Sequence, residues 1–370
     1  MRLAFLIRSL EYGGAERQLL ELVKALDPQQ FEISVVCFYG GGPLAEELLT
    51  HQVNLIDLGK RSRWDLFSFF WRLIWQFRQL QPQILHGYLG TANLLAVFLK
   101  PLLPKTKIVW GVRASDMDLD RYDWLSRLLF RWECHLARFA DRIIVNSQAG
   151  LNYHVACGFP KAKMTVIPNG IDTERFRPDP EAGDCLRQEW GIPQDAIAIG
   201  LIARLDPIKD HPTFLKAAAE LIPTHPSLWF LCIGGGPEDY ATSLQQMARE
   251  LGIRQQLLWL GSQADMPAAY NACTIATLTS ISEGFSNAIG EAMACDIPCV
   301  VTDVGDSAWI VGETGKVVPP QAPTELAAGW VELLGEMQDS PNRQSPRQRI
   351  VDCFSVARLA ERTAEVLNRG

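Results

Sequence analysis

Short apolar runs alternate along the chain with longer segments in which apolar residues recur at helical spacing. Seven such runs precede residue 170, and six more follow a proline-rich bridge. The first set is RLAFLIR, EISVVCFY, NLIDL, QILHGY, KIVWGV, RIIVNS and MTVIP, and the second is AIAIGLIA, LWFLCIGGG, LLWLG, IATLT, IPCVVTD and KVVP. Apolar strands alternating with helices are typical of βα units on parallel sheets. The pattern predicts an α/β chain with two doubly wound, Rossmann-like domains.

The break between the two sets lies at IPNGIDTERFRPDP, residues 167–180, where proline and glycine interrupt any regular element. We therefore predict an N-terminal domain at 1–170 and a C-terminal domain at 171–354. Ligands of open α/β sheets bind beyond the carboxyl ends of the strands. The chemistry is accordingly expected in a cleft between the two domains.

Composition and charge indicate the cellular location of the protein and the partners to expect. The N-terminal apolar run is short and bounded by Arg2 and Arg8, which predicts a buried strand rather than a signal peptide. Nine cysteines show no CxxC pair and no metal-ligand spacing, so we predict a cytoplasmic protein without a metal site. The net charge is −7, yet residues 1–170 carry 20 Lys and Arg against 15 Asp and Glu. The first half is thus the half expected to meet an anionic surface, and no nucleic-acid partner is predicted.

The segment WDLFSFFWRLIWQFRQL, residues 64–80, is unusually aromatic and includes Arg72 and Arg78. Core packing of a helix against a sheet is the favoured interpretation. The alternative is contact with a membrane interface, which would place the protein peripherally on the inner face of the membrane and near a lipid-linked acceptor.

Two glycine clusters follow predicted strands. Gly13 and Gly14 make a turn before a helix, which suits backbone contact with an anion, although an ordinary glycine turn fits equally well. Gly234 and Gly236 half satisfy GxGxxG, but Asp239 stands where a third glycine is needed. That cluster predicts a loop passing close to a ligand and gives little support to dinucleotide binding.

Charged residues supply the remaining candidates. Arg204 and Lys209 flank a turn at a strand end, as a diphosphate site requires, and a pair of solvated charges is the alternative. Glu283 precedes a predicted helix for which Ser286 or Asn287 is a suitable N-cap, and Glu291 lies within it. We predict that the two carboxylates touch different parts of one extended ligand, since nothing provides the facing acid and base of a glycoside hydrolase.

Four motifs together, EGFSNAIGE, R-x4-K, GGAER and IPNGIDTERF, resemble those of the retaining glycosyltransferases of family 4, which have the GT-B fold. The similarity extends over nearly the whole chain. It implies transfer of a hexosyl or N-acetylhexosaminyl group from a UDP- or GDP-linked sugar to a hydroxyl acceptor, in polysaccharide, lipopolysaccharide or glycolipid synthesis. It implies neither a metal nor a cofactor, and it implies that a final helix at 355–370 packs back on the N-terminal domain.

The resemblance also implies roles for these residues. Arg204 and Lys209 would hold the diphosphate, Glu283 the hydroxyls of the donor sugar, and Glu291 the ribose. The remaining donor contacts implied are the turn at Gly13 and Gly14, the loop at Gly236, Ser262 near the base, and backbone groups of Phe285, Ser286 and Asn287.

Two residues of the first domain are candidate acceptor or sugar contacts. His86 is expected at a strand end facing the cleft, with a structural histidine as the alternative. Arg113 stands where many relatives of the family carry histidine. Nearby Asp116, Asp118 and Asp120 mimic a DxD motif or a calcium loop, but Arg121 occupies the loop's glycine position, so we predict no metal there.

Other classes of function stay open from the sequence alone. A nucleotide-sugar epimerase of GT-B fold would share both domains and would act without an acceptor. A non-catalytic nucleotide-sugar-binding protein would keep the fold and lose turnover. A Rossmann oxidoreductase is disfavoured by the imperfect glycine motif.

Overall fold

The computed structural model describes residues 1–51, 53–62, 64–113, 123–339 and 344–369. The chain divides into two compact units. Unit 1 consists of Met1–Gly170 with Val356–Gly370, and unit 2 of Ile171–Ser355. The aspartate run at 116–120 lies outside the described residues.

The centre of unit 1 is a seven-stranded parallel sheet. Its strands are β1 (Arg2–Ile7), β2 (Glu32–Cys37), β3 (Asn54–Asp57), β4 (Ile84–Tyr88), β5 (Lys107–Val112), β6 (Arg142–Val145) and β7 (Met164–Val166). The spatial order is β3-β2-β1-β4-β5-β6-β7, so it reverses between β1 and β4. In β1, Leu3, Phe5 and Ile7 enter one core while Ala4 and Leu6 enter the other. Burial on both faces explains why the strand is apolar throughout.

Helices cover both faces of this sheet. They are α1 (Gly14–Ala25), α2 (Pro43–Leu49), α3 (Phe67–Leu80), α4 (Gly90–Leu99), α5 (Trp124–Leu136), α6 (Gln148–Ala156) and the final helix α15 (Val356–Asn368). Buried side chains of α1, α2 and α15 share one core. Those of α3 and α4 share the other, and the inner side of α5 packs against it. The last helix of the chain is therefore part of unit 1.

The aromatic segment at 64–80 departs from the favoured interpretation. Helix α3 buries Phe69, Leu73 and Phe77, which recur every four residues and face the sheet. Trp71 and Trp75 are 69% and 56% exposed on the opposite side. A helix lying on a sheet buries one stripe only, so core packing was the wrong explanation for most of these aromatics.

Unit 2 contains a six-stranded parallel sheet. Its strands are β8 (Ile197–Ile202), β9 (Leu228–Ile233), β10 (Leu257–Gly261), β11 (Ile275–Leu278), β12 (Cys299–Thr302) and β13 (Lys316–Val318). Its helices are α7 (Pro180–Glu189), α8 (His211–Leu221), α9 (Glu238–Glu250), α10 (Met266–Asn271), α11 (Asn287–Ala294), α12 (Ser307–Val311), α13 (Pro323–Asp339) and α14 (Pro346–Cys353). The order β10-β9-β8-β11-β12-β13 reverses between β8 and β11. The predicted fold class, two doubly wound α/β domains, is confirmed.

Candidate functional site

The loops that leave β8 and β11 lie side by side, because these strands are neighbours at the point where the order reverses. The Ile281 N–H donates to the Ile208 carbonyl at 2.9 Å, and the Thr279 hydroxyl donates to the Lys209 carbonyl at 2.7 Å. The strand ends beside such a reversal form the crevice in which open α/β sheets bind ligands. Most of the charged candidates from the sequence lie on these two loops.

Lys209 and Glu283 form an ion pair across these loops. The Lys209 ammonium contacts Glu283 Oε1, and the Ser280 hydroxyl donates to the same oxygen at 2.7 Å. The two charged side chains are 22% and 12% exposed. Partial burial strengthens the attraction and holds both charges in one place. Ser280 was missed from the sequence, where its only signal is a small polar residue just after a strand.

The turn that carries Lys209 is fixed by its own aspartates. The Asp206 carboxylate accepts the N–H of Ile208 at 3.0 Å. Asp210 adopts a positive φ of 47° and accepts both the N–H and the hydroxyl of Thr213, which caps α8. Aspartate tolerates this left-handed conformation and caps helices well. The lysine is thus positioned by a rigid turn.

Arg204 is placed differently from Lys209, although the sequence treats the two as a pair. Its side chain is 79% exposed, and its nearest acidic partner is Asp206 Oδ2 at 3.7 Å. An exposed pair at this distance adds little to stability. The guanidinium therefore extends from the strand-end loop into solvent.

The start of α11 provides backbone donors beside Glu283. Ser286 takes the N-cap position, and its side chain makes no capping hydrogen bond. Phe285 is 6% exposed and packs against Phe354 at a ring-centroid distance of 5.5 Å, which fixes the approach to the helix. Helix α11 begins at Asn287, and a helix N-terminus carries partial positive charge.

Glu291 lies in the second turn of α11, where the Tyr270 hydroxyl donates to its Oε2 at 2.8 Å. Tyr270 is fully buried, and burial together with the adjacent carboxylate raises its pKa well above the ordinary value. The phenol therefore stays protonated and acts as a fixed donor that orients the carboxylate. Tyr270 was also missed, because nothing in the local sequence of α10 indicates which way it points.

The glycine cluster after β9 has a structural explanation. A Cβ on Gly234, whose φ is 142°, would lie 2.0 Å from the Ala203 carbonyl oxygen, and one on Gly236 would lie 2.4 Å from that of Leu205. The glycines let this loop pack against the loop that carries Arg204. Ser262 is exposed on the neighbouring loop after β10. Ligand contacts of Gly236 and Ser262 stay predictions.

In unit 1 the predicted glycine turn is present at the switch between β1 and β4. Gly13 takes the N-cap position of α1 with an extended backbone, and Gly14 is the first helical residue. The Glu16 carboxylate lies over Gly13, since a Cβ there would come within 2.1 Å of its Oε2. An acidic side chain beside a helix N-terminus is favourable. Contact of this turn with a diphosphate stays a prediction.

The structure corrects the placement of His86. The residue lies in the middle of β4 rather than at its end, and it is completely buried beside the rings of Phe5 and Tyr88. Burial and the nearby Arg113 guanidinium lower its pKa to about 3. A neutral, fully covered imidazole is a core residue, because both faces of this sheet are covered by helices.

Arg113 is half-buried just after β5. Its guanidinium donates to Asn169 Oδ1 at 2.7 Å, contacts the Tyr88 hydroxyl, and lies 4.7 Å from the centre of the Tyr88 ring. A planar guanidinium can stack on a ring and donate to two different side chains at once, which the ammonium group of lysine cannot do. Its role towards a sugar or an acceptor stays a prediction.

Two family models match the chain. The model described as Glycosyltransferase Family 4 matches residues 12–175, and the model described as Glycosyl transferases group 1 matches residues 196–336. Together they cover most of unit 1 and most of unit 2.

Curated relatives and solved structures agree with these matches. The D-inositol 3-phosphate glycosyltransferase 2 of Catenulispora acidiphila is 32% identical over 55% of this chain and 49% of its own length, so the chain spans about half of this relative. The UDP-Gal:alpha-D-GlcNAc-diphosphoundecaprenol alpha-1,3-galactosyltransferase of Escherichia coli is 25% identical over 96% of this chain and 93% of its own length. The structure of Anabaena HepE in complex with UDP superposes with a TM-score of 0.86, at 23% identity and 99% coverage of both chains. This structural likeness shows the GT-B fold.

Proposed function

The chain belongs to glycosyltransferase family 4, and we propose that it retains the anomeric configuration of a hexosyl or N-acetylhexosaminyl group that it moves from a UDP- or GDP-linked sugar. The acceptor is a hydroxyl of a glycan or a lipid-linked glycan in polysaccharide, lipopolysaccharide or glycolipid synthesis. The E. coli relative is named for a UDP-linked donor and a diphosphoundecaprenol acceptor, and Anabaena HepE binds UDP. These likenesses support the proposal.

The observation that carries the proposal is the cluster of Lys209, Glu283 and Ser280 at the strand reversal of unit 2. A departing nucleoside diphosphate gains negative charge in the transition state. The Lys209 ammonium is already held in place, so it stabilises that charge without reorganising. Arg204 adds a second cation with several donors from the same loop.

The two glutamates bind the neutral parts of the donor. Carboxylates accept hydrogen bonds from vicinal hydroxyls, and each is oriented before the ligand arrives. Glu283 is held by Lys209 and Ser280 and accepts from the sugar, while Glu291 is held by Tyr270 and accepts from the ribose. The N-terminus of α11 lies between the two in sequence and suits a phosphate.

Retention of the anomeric configuration is consistent with the proposed roles of the two cations and the two glutamates. The acceptor hydroxyl attacks from the face that the diphosphate leaves, and a phosphate oxygen takes its proton. Positioning and charge stabilisation then supply most of the rate enhancement. Because two protein cations compensate the charge of the leaving group, we propose that turnover continues in the presence of a chelator.

The donor is identified by thermal shift with UDP-, GDP- and ADP-sugars, in the presence and absence of EDTA. A ligand that binds only the folded protein raises its melting temperature by mass action, and we expect one nucleotide series to do so. We expect Glu291→Ala to lose that shift, which would locate the nucleotide at α11. The ligand-free variant should keep the wild-type melting temperature, which shows that the substitution does not unfold the protein. If none of the sugars raised the melting temperature of the wild type, the proposed donor site would be wrong.

A further inference from the structure

The outer faces of α3 and α5 in unit 1 carry exposed aromatic side chains in matching arrangements. Phe67, Trp71 and Trp75 follow one another at intervals of four on α3, and they are 87%, 69% and 56% exposed. Residues four apart in a helix lie one above the other, so these rings form one stripe. This stripe is opposite the one that α3 buries.

Helix α5 repeats the arrangement. Trp124, Leu128 and Trp132 are again four residues apart and are 75%, 39% and 49% exposed. The Trp132 ring lies 6.2 Å from the ring of Phe98 on α4, at the edge of an open apolar groove of about 470 Å³. Among the described residues, 20 large hydrophobic side chains are exposed, and 12 of them lie between Trp64 and Phe139. Exposed apolar side chains concentrated in this way mark an interaction surface.

Both stripes lie on helices that cover the same face of the sheet. The buried residues of α3 and α4 and the inner side of α5 pack against the same core on one face of the sheet. Both stripes therefore belong to the outer side of one helical layer. A surface made of two exposed helix faces suits a flat partner rather than a small molecule.

The charge of the segment complements an anionic partner. Residues 60–139 contain 13 Lys and Arg against 6 Asp and Glu, in a chain whose net charge is −7. Arg78 on α3 and Arg131 on α5 are exposed beside the aromatic stripes. Arg72 contributes no free charge, because it pairs with Asp65 at 3.0 Å.

We propose that the aromatic and basic outer face of α3 and α5 docks on an anionic lipid bilayer. Tryptophan is favoured at the membrane interface, where its ring is apolar and its N–H is hydrated, and basic residues near it are attracted by anionic headgroups. The inference deepens the proposed function, since it rests on an acceptor that is lipid-linked. It assigns to unit 1 the surface that brings the enzyme to such an acceptor.

The test is co-sedimentation with vesicles of phosphatidylcholine alone and of phosphatidylcholine with phosphatidylglycerol, at low and high salt. We expect the wild type to bind the anionic vesicles at low salt and to be released by salt. The variant Arg78→Glu/Arg131→Glu should lower the partition coefficient by at least about tenfold, and Trp71→Ser/Trp75→Ser should lower it on both kinds of vesicle. Leu49→Ser and Arg254→Glu, exposed positions away from the layer, are the matched controls and should bind like the wild type.

Several outcomes would overturn the proposal. One is a wild type that stays in the supernatant with anionic vesicles at low salt, and another is binding that survives both double variants. A third is concentration-dependent dimerisation that the tryptophan variant abolishes in the absence of vesicle binding, which would make the face an interface between copies of the chain. Thermal shift with nucleotide sugars in lipid-free buffer tests donor binding, and so the proposed function, independently of membrane binding. A wild-type shift in a variant also shows that the variant is folded.

Discussion

Lys209 and Glu283 are in contact although 74 residues separate them in the chain. The contact exists because β8 and β11 are adjacent in the sheet while β9 and β10 lie on the other side of β8. In the proposed function Lys209 stabilises negative charge and Glu283 accepts hydroxyls, so their contact would preorganise a site for a sugar linked to a diphosphate. The proposed donor site is built around that pair.

Replacing Lys209 by methionine removes the fixed cation and keeps the aliphatic stem. Loss of a preorganised electrostatic contact to the leaving group should lower kcat by about 10²–10³. Steady-state hydrolysis or transfer of the donor measures the effect. Lys216→Met removes an exposed lysine of α8 and should leave kcat unchanged; equal losses in the two variants would show that the effect is not local.

Replacing Tyr270 by phenylalanine keeps the buried ring and removes the hydroxyl that orients Glu291. A hydrogen bond to a charged group contributes about 1.5–3 kcal/mol, so the donor KM should rise by about tenfold or more, with a smaller change in kcat. A donor that lacks a ribose hydroxyl serves as the control. If Tyr270 acts through Glu291 on the ribose, the variant and the wild type should differ less on the deoxy donor than on the normal one.

Replacing Gly234 by alanine should destabilise unit 2. The new Cβ would lie 2.0 Å from the Ala203 oxygen at a φ of 142°, and strain of this kind costs on the order of 1–3 kcal/mol or more. Gly335→Ala is the matched control, because a Cβ there has nothing within 4 Å and the residue lies in the exposed part of α13. That control should stabilise the protein by about 1 kcal/mol. Urea unfolding measures both, and equal stabilities would contradict the packing explanation.

Replacing His86 by leucine should make the free energy of unfolding less dependent on pH below about 6.5. The folded state lowers the pKa of His86 to about 3, so between that value and the ordinary one of about 6.5 only the unfolded chain carries the proton. This histidine therefore reduces stability progressively as the pH falls below about 6.5, by about 2 kcal/mol at pH 5.

The measurement for His86 is the difference in unfolding free energy between pH 7.5 and pH 5. The leucine variant should show a smaller difference than the wild type, whatever its absolute stability. The exposed His51 is the control position, and His51→Leu should keep the wild-type difference. A wild-type pH dependence in His86→Leu would show that the imidazole is not buried and neutral.

The sequence predicted the strands well, because strands covered on both faces are continuous apolar runs. It did not predict that Lys209 meets Glu283, since that contact depends on which strands are neighbours. Tyr270 and Ser280 had no distinctive local pattern. His86 was misplaced because a histidine in a strand looks the same whether it faces solvent or core. The exposed stripe of α3 was misread because aromatic residues are normally core residues.

The proposed membrane-binding face and the proposed donor site use different residues of the chain. In its described residues no helix is both long and apolar enough to cross a bilayer. Docking would rely on side chains of α3 and α5 in unit 1, and donor binding on the loops of unit 2. Variants of one should therefore leave the other readout intact.

The most direct test of the central claim is the anomeric configuration of the sugar released when the enzyme hydrolyses an α-linked nucleotide sugar. Proton NMR within the first minutes, before mutarotation, distinguishes the two anomers. The account predicts that the α anomer appears first in the wild type and that Lys209→Met lowers the rate of its release by about 10²–10³. Initial release of the β anomer would contradict it.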